Sequence, residues 1–234
     1  MTEPPDNESV GQTPNRNAVK RDWPSRAREL AAASIAAGEP DAWFDQLYAE
    51  SAAGEVTPPW GRNTPMPQLT AWIDSEQPSP SRAVVVGCGL GADAEYLAML
   101  GFDVTGFDLS PHAVTLAQQR NPDTVVKYRV ADATDLPHDL IGAFDLVVEI
   151  FTLQAVPNPP RTAIADGIAT LVAPNGTLVV IDRRDTGDPT GPPFQITAAD
   201  LARLEASGLI RAHLEVDDGL WVATFHRPAP DGDS

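Results

Sequence analysis

Hydrophobic and polar positions change their spacing several times along the chain, and each change marks an element. Residues 1–25 are rich in Pro, Asn, Glu and Asp and nearly lack large apolar side chains, which predicts a disordered tail. From Ser25 to Ala37 the sequence is alanine-rich with Leu30 and Ile35, a helix ended by Gly38 and Pro40. Asp41 is placed to cap a second helix, whose Trp43, Phe44, Leu47 and Tyr48 fall on one side. A proline-rich loop with an isolated Trp60 follows. A third helix starts near Pro67 and presents Leu69, Trp72 and Ile73.

Beyond the loop SEQPSPS, apolar β-branched runs alternate with helix-compatible stretches. Strands are predicted near 82–86, 103–107, 125–129, 144–148 and 177–181, and helices near 92–100, 111–120, 160–172 and 197–207. Short connections between them imply a largely parallel sheet with helices on both faces. The tail RAHLEVDDGLWVATFHRP breaks this alternation, because Asp217-Asp218-Gly219 between two β-rich runs predicts an antiparallel hairpin. The predicted class is α/β: a Rossmann-like, doubly wound, mostly parallel seven-stranded sheet with an antiparallel C-terminal hairpin and an N-terminal helical lid. The expected boundaries are a tail to residue 25, a helical lid or extension over 26–80, the main domain over 81–228 and a short disordered tail over 229–234.

Composition narrows the function more than the fold. The 234 residues suit one domain of roughly 200 residues plus an extension. A net charge of −17, from 16 basic against 33 acidic residues, argues against nucleic acid as a partner, since phosphate binding needs clustered cations. An acidic surface that keeps the protein soluble is sufficient explanation. Cys88 is the single cysteine, which excludes an internal disulfide and a thiolate metal cluster. The four histidines have no metal-ligand spacing, so no metal is expected. No apolar run approaches the ~20 residues of a membrane span, and the first residues lack the apolar core of a secretory signal. A cytoplasmic protein with no membrane partner is expected; the oligomeric state is left open.

The chemistry concentrates in VVVGCGLGADAEYLAMLGFDVTGFD, residues 84–108. A buried strand, the turn Gly87-Cys88-Gly89-Leu90-Gly91, a helix and a second strand ending in Asp108 is the layout with which a parallel sheet holds a nucleoside-containing cofactor. Glycines let the backbone approach a ligand with no Cβ in the way, and a terminal carboxylate accepts hydrogen bonds from both ribose hydroxyls. Cys88 reads as a small apolar filler. Asp93 either stabilises a helix N-terminus or lies near the cofactor's amino group. Glu149 follows a buried strand and is either a site carboxylate or a solvated loop acid. Arg183, Arg184 and Asp185 follow a strand on the same edge of the sheet and either hold an acidic acceptor or form a solvated turn. Phe194, in GPPFQIT, is a candidate for the acceptor pocket. Trp60 either lies over a cationic or aromatic ligand or plugs a loop, and Trp43 is a helix-packing residue that is also a candidate acceptor contact.

From these residues the chain resembles the class I S-adenosylmethionine-dependent methyltransferases. GCGLGADAEYLAMLGFDVTGFDLS is similar to that family's first two motifs. The resemblance implies that Gly87, Gly89 and Gly91 pass under the methionine part, that Asp108 holds the ribose, and that Leu109 beside it also touches the cofactor. ADATDLP resembles the third motif, in which Asp132 faces the adenine amino group and Ala133 supplies a backbone contact. FDLVVEIFTLQAV, with Glu149, resembles the segment that floors the cofactor site, and LVAPNGTLVVID resembles a motif usually written with two glycines. Asn175 stands at one of those glycines, a position that an Asn in a left-handed turn tolerates.

WFDQLYAESAAGEVTPPWGRNTPMPQL resembles the lid of small-molecule methyltransferases of the thiopurine, thiol and halide type, except that Gly61 replaces a frequent acid. The implied activity is transfer of a methyl group from S-adenosyl-L-methionine to an S, N or O atom of a small-molecule acceptor. Trp60 would touch both cofactor and acceptor, Trp43, Arg183 and Phe194 would touch the acceptor, and no catalytic acid or base is assigned. Two alternatives remain at this point: an NAD(P)-dependent oxidoreductase, because Gly87-x-Gly89-x-x-Ala92 loosely fits that fingerprint, and an inactive methyltransferase-like binding module.

Overall fold

The computed structural model describes residues 22–57, 61–187 and 191–230. Their elements run α1 (Trp23–Ala37), α2 (Trp43–Ala52), α3 (Pro67–Glu76), β1 (Arg82–Val86), α4 (Ala92–Met99), β2 (Asp103–Asp108), α5 (Pro111–Arg120), β3 (Lys127–Val130), β4 (Phe144–Ile150), α6 (Pro160–Leu171), β5 (Val172–Arg183), α7 (Ala198–Ala206), β6 (Ile210–Asp217) and β7 (Leu220–His226). One seven-stranded sheet has the order β3-β2-β1-β4-β5-β7-β6. Its first five strands are parallel, and β7 lies antiparallel between β5 and β6. The order reverses at β1, which pairs with β2 on one side and β4 on the other. A crevice at the carboxyl ends of these strands is therefore the position where such sheets take ligands.

Two apolar layers sandwich the sheet. Alternation along β1 sends Val84 and Val86 to one face and Ala83 and Val85 to the other. The first pair packs with Ala165, Ile168 and Ala169 of α6 and with Leu201 and Leu204 of α7. The second pair packs with Ala94 and Leu97 of α4 and with Leu69 and Ile73 of α3. Although the sequence groups α3 with the lid, its Trp72 indole donates to Thr224 Oγ1 of β7 at 2.9 Å. Only α1 and α2 form a separate small core, with Ala27, Leu30, Trp43 and Leu47 buried between them. Tyr48 ties that pair to the sheet domain by packing on Leu90 and Ala113.

Several local expectations shift for identifiable reasons. Asp22 caps α1, accepting from the Ser25 backbone at 3.2 Å, so residues 22–25 belong to the helix and not to the tail. Gly38 ends α1 at φ 82, as its place in the sequence predicts. Asp41 does not cap α2: the cap position is Ala42 with no side-chain bond, and Asp41 contributes only its carbonyl, to the Phe44 N–H. Asn175 takes φ 62 within β5, the left-handed geometry that lets it stand in for glycine.

Candidate active site

A cleft of about 430 Å³ opens at the carboxyl ends of β2, β1, β4 and β5, beneath α1 and α2. Among the predicted site residues it gathers Trp43, Gly87, Gly89, Asp108, Leu109, Asp132, Ala133 and Arg183. Gly91, Glu149 and Phe194 are not among its walls. Trp60 lies outside the described residues.

The glycine turn and the β2 acid form one hydrogen-bonded unit. Cys88 N–H donates to Phe107 O at 2.9 Å, and Gly89 N–H donates to Asp108 Oδ2 at 2.9 Å. Asp108 Oδ1 accepts from Ser110 N–H at 2.9 Å, so each oxygen keeps lone-pair capacity for a further donor. Burial pushes the Asp108 carboxyl up to about 6 in spite of these bonds. The same burial, with Asp108 beside it, drives the Cys88 thiol well above its ordinary range, as suits a packing role. Gly87 has φ 57, and a Cβ there would overlap Thr152 Oγ1. Gly91 answers to a different neighbour: a Cβ at its φ of 91 would overlap the Tyr128 hydroxyl on β3. The close approach of helix and strand thus requires a glycine at this position, which is not among the cleft walls.

Just beyond the third strand, Asp132 lines the cleft, and its Oδ1 accepts from Thr134 N–H and Oγ1 at 2.7 and 2.8 Å. Asp93, in the first turn of α4, accepts from Met66 N–H at 2.6 Å and from Arg62 at 2.9 Å. It anchors the segment leading to α3, and burial raises its carboxyl above the usual range although Arg62 opposes this. Above the glycine turn sits α2. A Cβ on Gly89 would approach the Tyr48 hydroxyl to 2.9 Å. Asp45 of the same helix accepts from Ser110 Oγ at 2.6 Å and lies 2.9 Å from His112 Nδ1. Against partial burial, these partners hold Asp45 below the ordinary carboxylate range.

Glu149 does not reach the cleft. It is fully buried on β4, and its Oε1 accepts from Thr152 N–H at 2.7 Å and Leu153 N–H at 3.0 Å. It therefore shapes the turn after β4, whose Thr152 Oγ1 donates to Val86 O at 3.1 Å. Its other neighbour is Asp182 of β5, also fully buried. Burial drives both carboxyls above the ordinary carboxylate range, and the Glu149 charge drives Asp182 up further. A second support was equally hidden in the sequence. Arg161 of α6 donates to the carbonyls of Leu153, Val156, Phe194 and Gln195 and pairs with Asp200 at 3.1 Å. It joins the turn after β4 to the segment before α7. Phe194 lies inside that joint, packed on Gly191, while Pro192 and Pro193 carry the segment to the cleft. Among the described residues, no group of three or more His, Cys, Asp or Glu is arranged to hold a metal, and no helix is long and apolar enough to cross a membrane.

A doubly wound sheet with an antiparallel seventh strand, carrying a glycine turn bonded to a β2 carboxylate, has the architecture of the class I methyltransferases. Residues 40–228 match the family model of Thiopurine S-methyltransferase (TPMT), and the chain belongs to that family. The ubiquinone biosynthesis O-methyltransferase of Xanthomonas axonopodis pv. citri is 38% identical over 104 residues, 44% of this chain and 43% of that protein. The similarity thus spans less than half of that curated relative. Among solved structures, one from work on the conversion of a disulfide bond into a thioacetal group in echinomycin biosynthesis aligns with a TM-score of 0.68. It has 21% identity and covers 81% of this chain and 93% of that one. Magnesium protoporphyrin IX methyltransferase (ChlM) from Synechocystis PCC 6803, solved with bound SAM, aligns at TM-score 0.57 with 18% identity, covering 81% and 83%.

Proposed function

We propose that this protein transfers a methyl group from S-adenosyl-L-methionine to an S, N or O atom of a small-molecule acceptor in the cytoplasm. The observation that carries the reading is the Asp108–Gly89 joint at one end of the cleft. Asp108 would take the two ribose hydroxyls on its remaining lone pairs, the Gly87–Gly89 backbone would pass under the methionine part, and Asp132 and Ala133 would meet the adenine. Leu109 would flank the ribose. When bound, the cofactor supplies both the activated methyl group and the leaving sulfide. The chain's own work is to align the two reactants and exclude water, and alignment alone can be worth roughly 7–11 kcal/mol. Residues 81–228 would form the catalytic domain, with α1 and α2 as its cover and Trp43 among the acceptor contacts.

An all-parallel dinucleotide-binding sheet has no place for a reversed strand between its last two members, which disfavours the oxidoreductase alternative. Calorimetry of the full chain with S-adenosylhomocysteine and with NAD separates the readings: micromolar binding of the first alone is expected. A screen of thiols, phenols and heterocyclic amines with S-adenosylmethionine then tests turnover. Preference for NAD refutes the proposal, and cofactor binding without methylation of any acceptor class would leave the inactive binding module.

A further inference from the structure

We propose that the acceptor bears a carboxylate and that Arg183 holds it. This rests on the methyltransferase reading and adds the acceptor's charge. Every other arginine among the described residues has a partner for its guanidinium. Ion pairs engage Arg26, Arg62, Arg82, Arg129, Arg161, Arg203 and Arg211. Hydrogen bonds engage Arg28, Arg120 and Arg227, and Arg184 lies over the Trp221 ring at 5.9 Å. Arg183 alone among them has no side-chain partner, and it is the one of the Arg183-Arg184-Asp185 run that lines the cleft. Arg183 is exposed at the cleft, so its guanidinium is accessible to a ligand that enters there. Its backbone is fixed, because Arg183 N–H donates to Gln154 Oε1 at 2.9 Å.

Position assigns this cation to the acceptor and not to the nucleoside. Asp108 ends β2 and Arg183 ends β5, with β1 and β4 between them. At about 4.8 Å per strand, the two stand roughly 14 Å apart. Asp108 and Asp132 mark the nucleoside end, and Arg183 marks the other. Of the remaining charged groups in the cleft, Arg62 and Asp93 satisfy each other, and Asp41, on the cover, has the wrong sign for an anion. The walls suit a flat apolar body, with Trp43 and Phe44 from α2 and Pro192 and Pro193 opposite in sequence. A guanidinium presents a planar fork that matches both oxygens of a carboxylate.

The test titrates 4-mercaptobenzoate and its neutral counterpart 4-mercaptobenzamide into the full chain saturated with S-adenosylhomocysteine, for wild type, Arg183→Gln and Arg183→Lys. The benzoate is expected to bind wild type at least tenfold more tightly than the amide. Arg183→Gln should erase that preference without changing the dissociation constants of the amide or of S-adenosylhomocysteine, and Arg183→Lys should restore part of it. Equal binding of the two probes by wild type, or no binding of the benzoate, overturns the proposal. A loss of S-adenosylhomocysteine affinity in Arg183→Gln also overturns it, by assigning the arginine to the cofactor's own carboxylate. Failure of wild type to bind S-adenosylhomocysteine would instead sink the methyltransferase reading, and this inference with it.

Discussion

If Asp108 must be ionised to accept the ribose hydroxyls, cofactor affinity has to fall in mild acid. Burial raises this carboxyl from an ordinary 3.8 to about 6 in the empty protein. Each pH unit of such a displacement corresponds to ~1.4 kcal/mol, so ionising Asp108 in the fold costs about 3 kcal/mol more than in the unfolded chain. The sign follows from the raised value. The stability that Asp108 contributes is fully present below pH ~4 and is lost as pH rises through ~6, so at neutral pH the empty site carries the penalty of a buried charge. The ligand's hydroxyls offset that penalty only for the ionised form. Affinity for S-adenosylhomocysteine should therefore be nearly flat above pH 7, half-maximal near pH 6 and ~10-fold weaker at pH 5. Asp108→Asn is the control. It removes the titration and turns an amide N–H₂ toward either Gly89 N–H or Ser110 N–H, so about 10- to 100-fold of affinity is lost and the pH dependence with it. Calorimetry in steps from pH 5 to 8 reads both curves. A flat wild-type profile, or the same slope in Asp108→Asn, would refute the reasoning.

Three further outcomes follow from the same geometry. Gly87→Ala must move Thr152 and hold a left-handed backbone costing about 1–2 kcal/mol, so cofactor affinity should drop at least tenfold. Gly38→Ala, strained alike at φ 82 but with nothing nearby, should lower only the melting temperature. Arg161→Met takes from Asp200 its ion-pair partner and leaves several interior carbonyls unpaired, and denaturant titration should find a loss of about 3–5 kcal/mol; a loss below 1 kcal/mol would show that water replaces the guanidinium. Wild type should lose stability as pH rises through the titration of Glu149 and Asp182, since burial raises both and a raised carboxyl stabilises only while protonated. Asp182→Asn, which cannot ionise, should weaken that pH dependence, whereas Glu149→Ala strands two buried N–H groups and should destabilise at every pH.

What the sequence made legible was whatever is written locally. The period-2 and helical patterns predict the described strands and the helices α1 to α7, and the glycine turn with Asp108 lies within 25 consecutive residues, so its geometry could be reasoned from backbone freedom alone. The misreadings share a cause in long-range contact. Glu149 looks like a ligand group until Asp182, 33 positions later, is found beside it in the interior. Gly91 serves Tyr128, and Phe194 serves Gly191 and the Arg161 joint. Arg161 carried no signal at all, because its carbonyl partners are backbone atoms on two separate loops. The helix α3 lies within the lid or extension over 26–80, and its apolar face packs on the sheet.

The way α2 rests on the glycine turn also bears on how the chain can be re-engineered. Tyr48 packs on Leu90 and Ala113, and Asp45 bonds the residue that bonds Asp108. The first two helices are thus not a detachable module with a seam at residue 54. A truncation there would strip a wall from the cradle and bare apolar side chains to water. A chimera that borrows another relative's helices would have to import the partners of Tyr48 and Asp45 as well, or its nucleoside pocket would change together with its choice of acceptor.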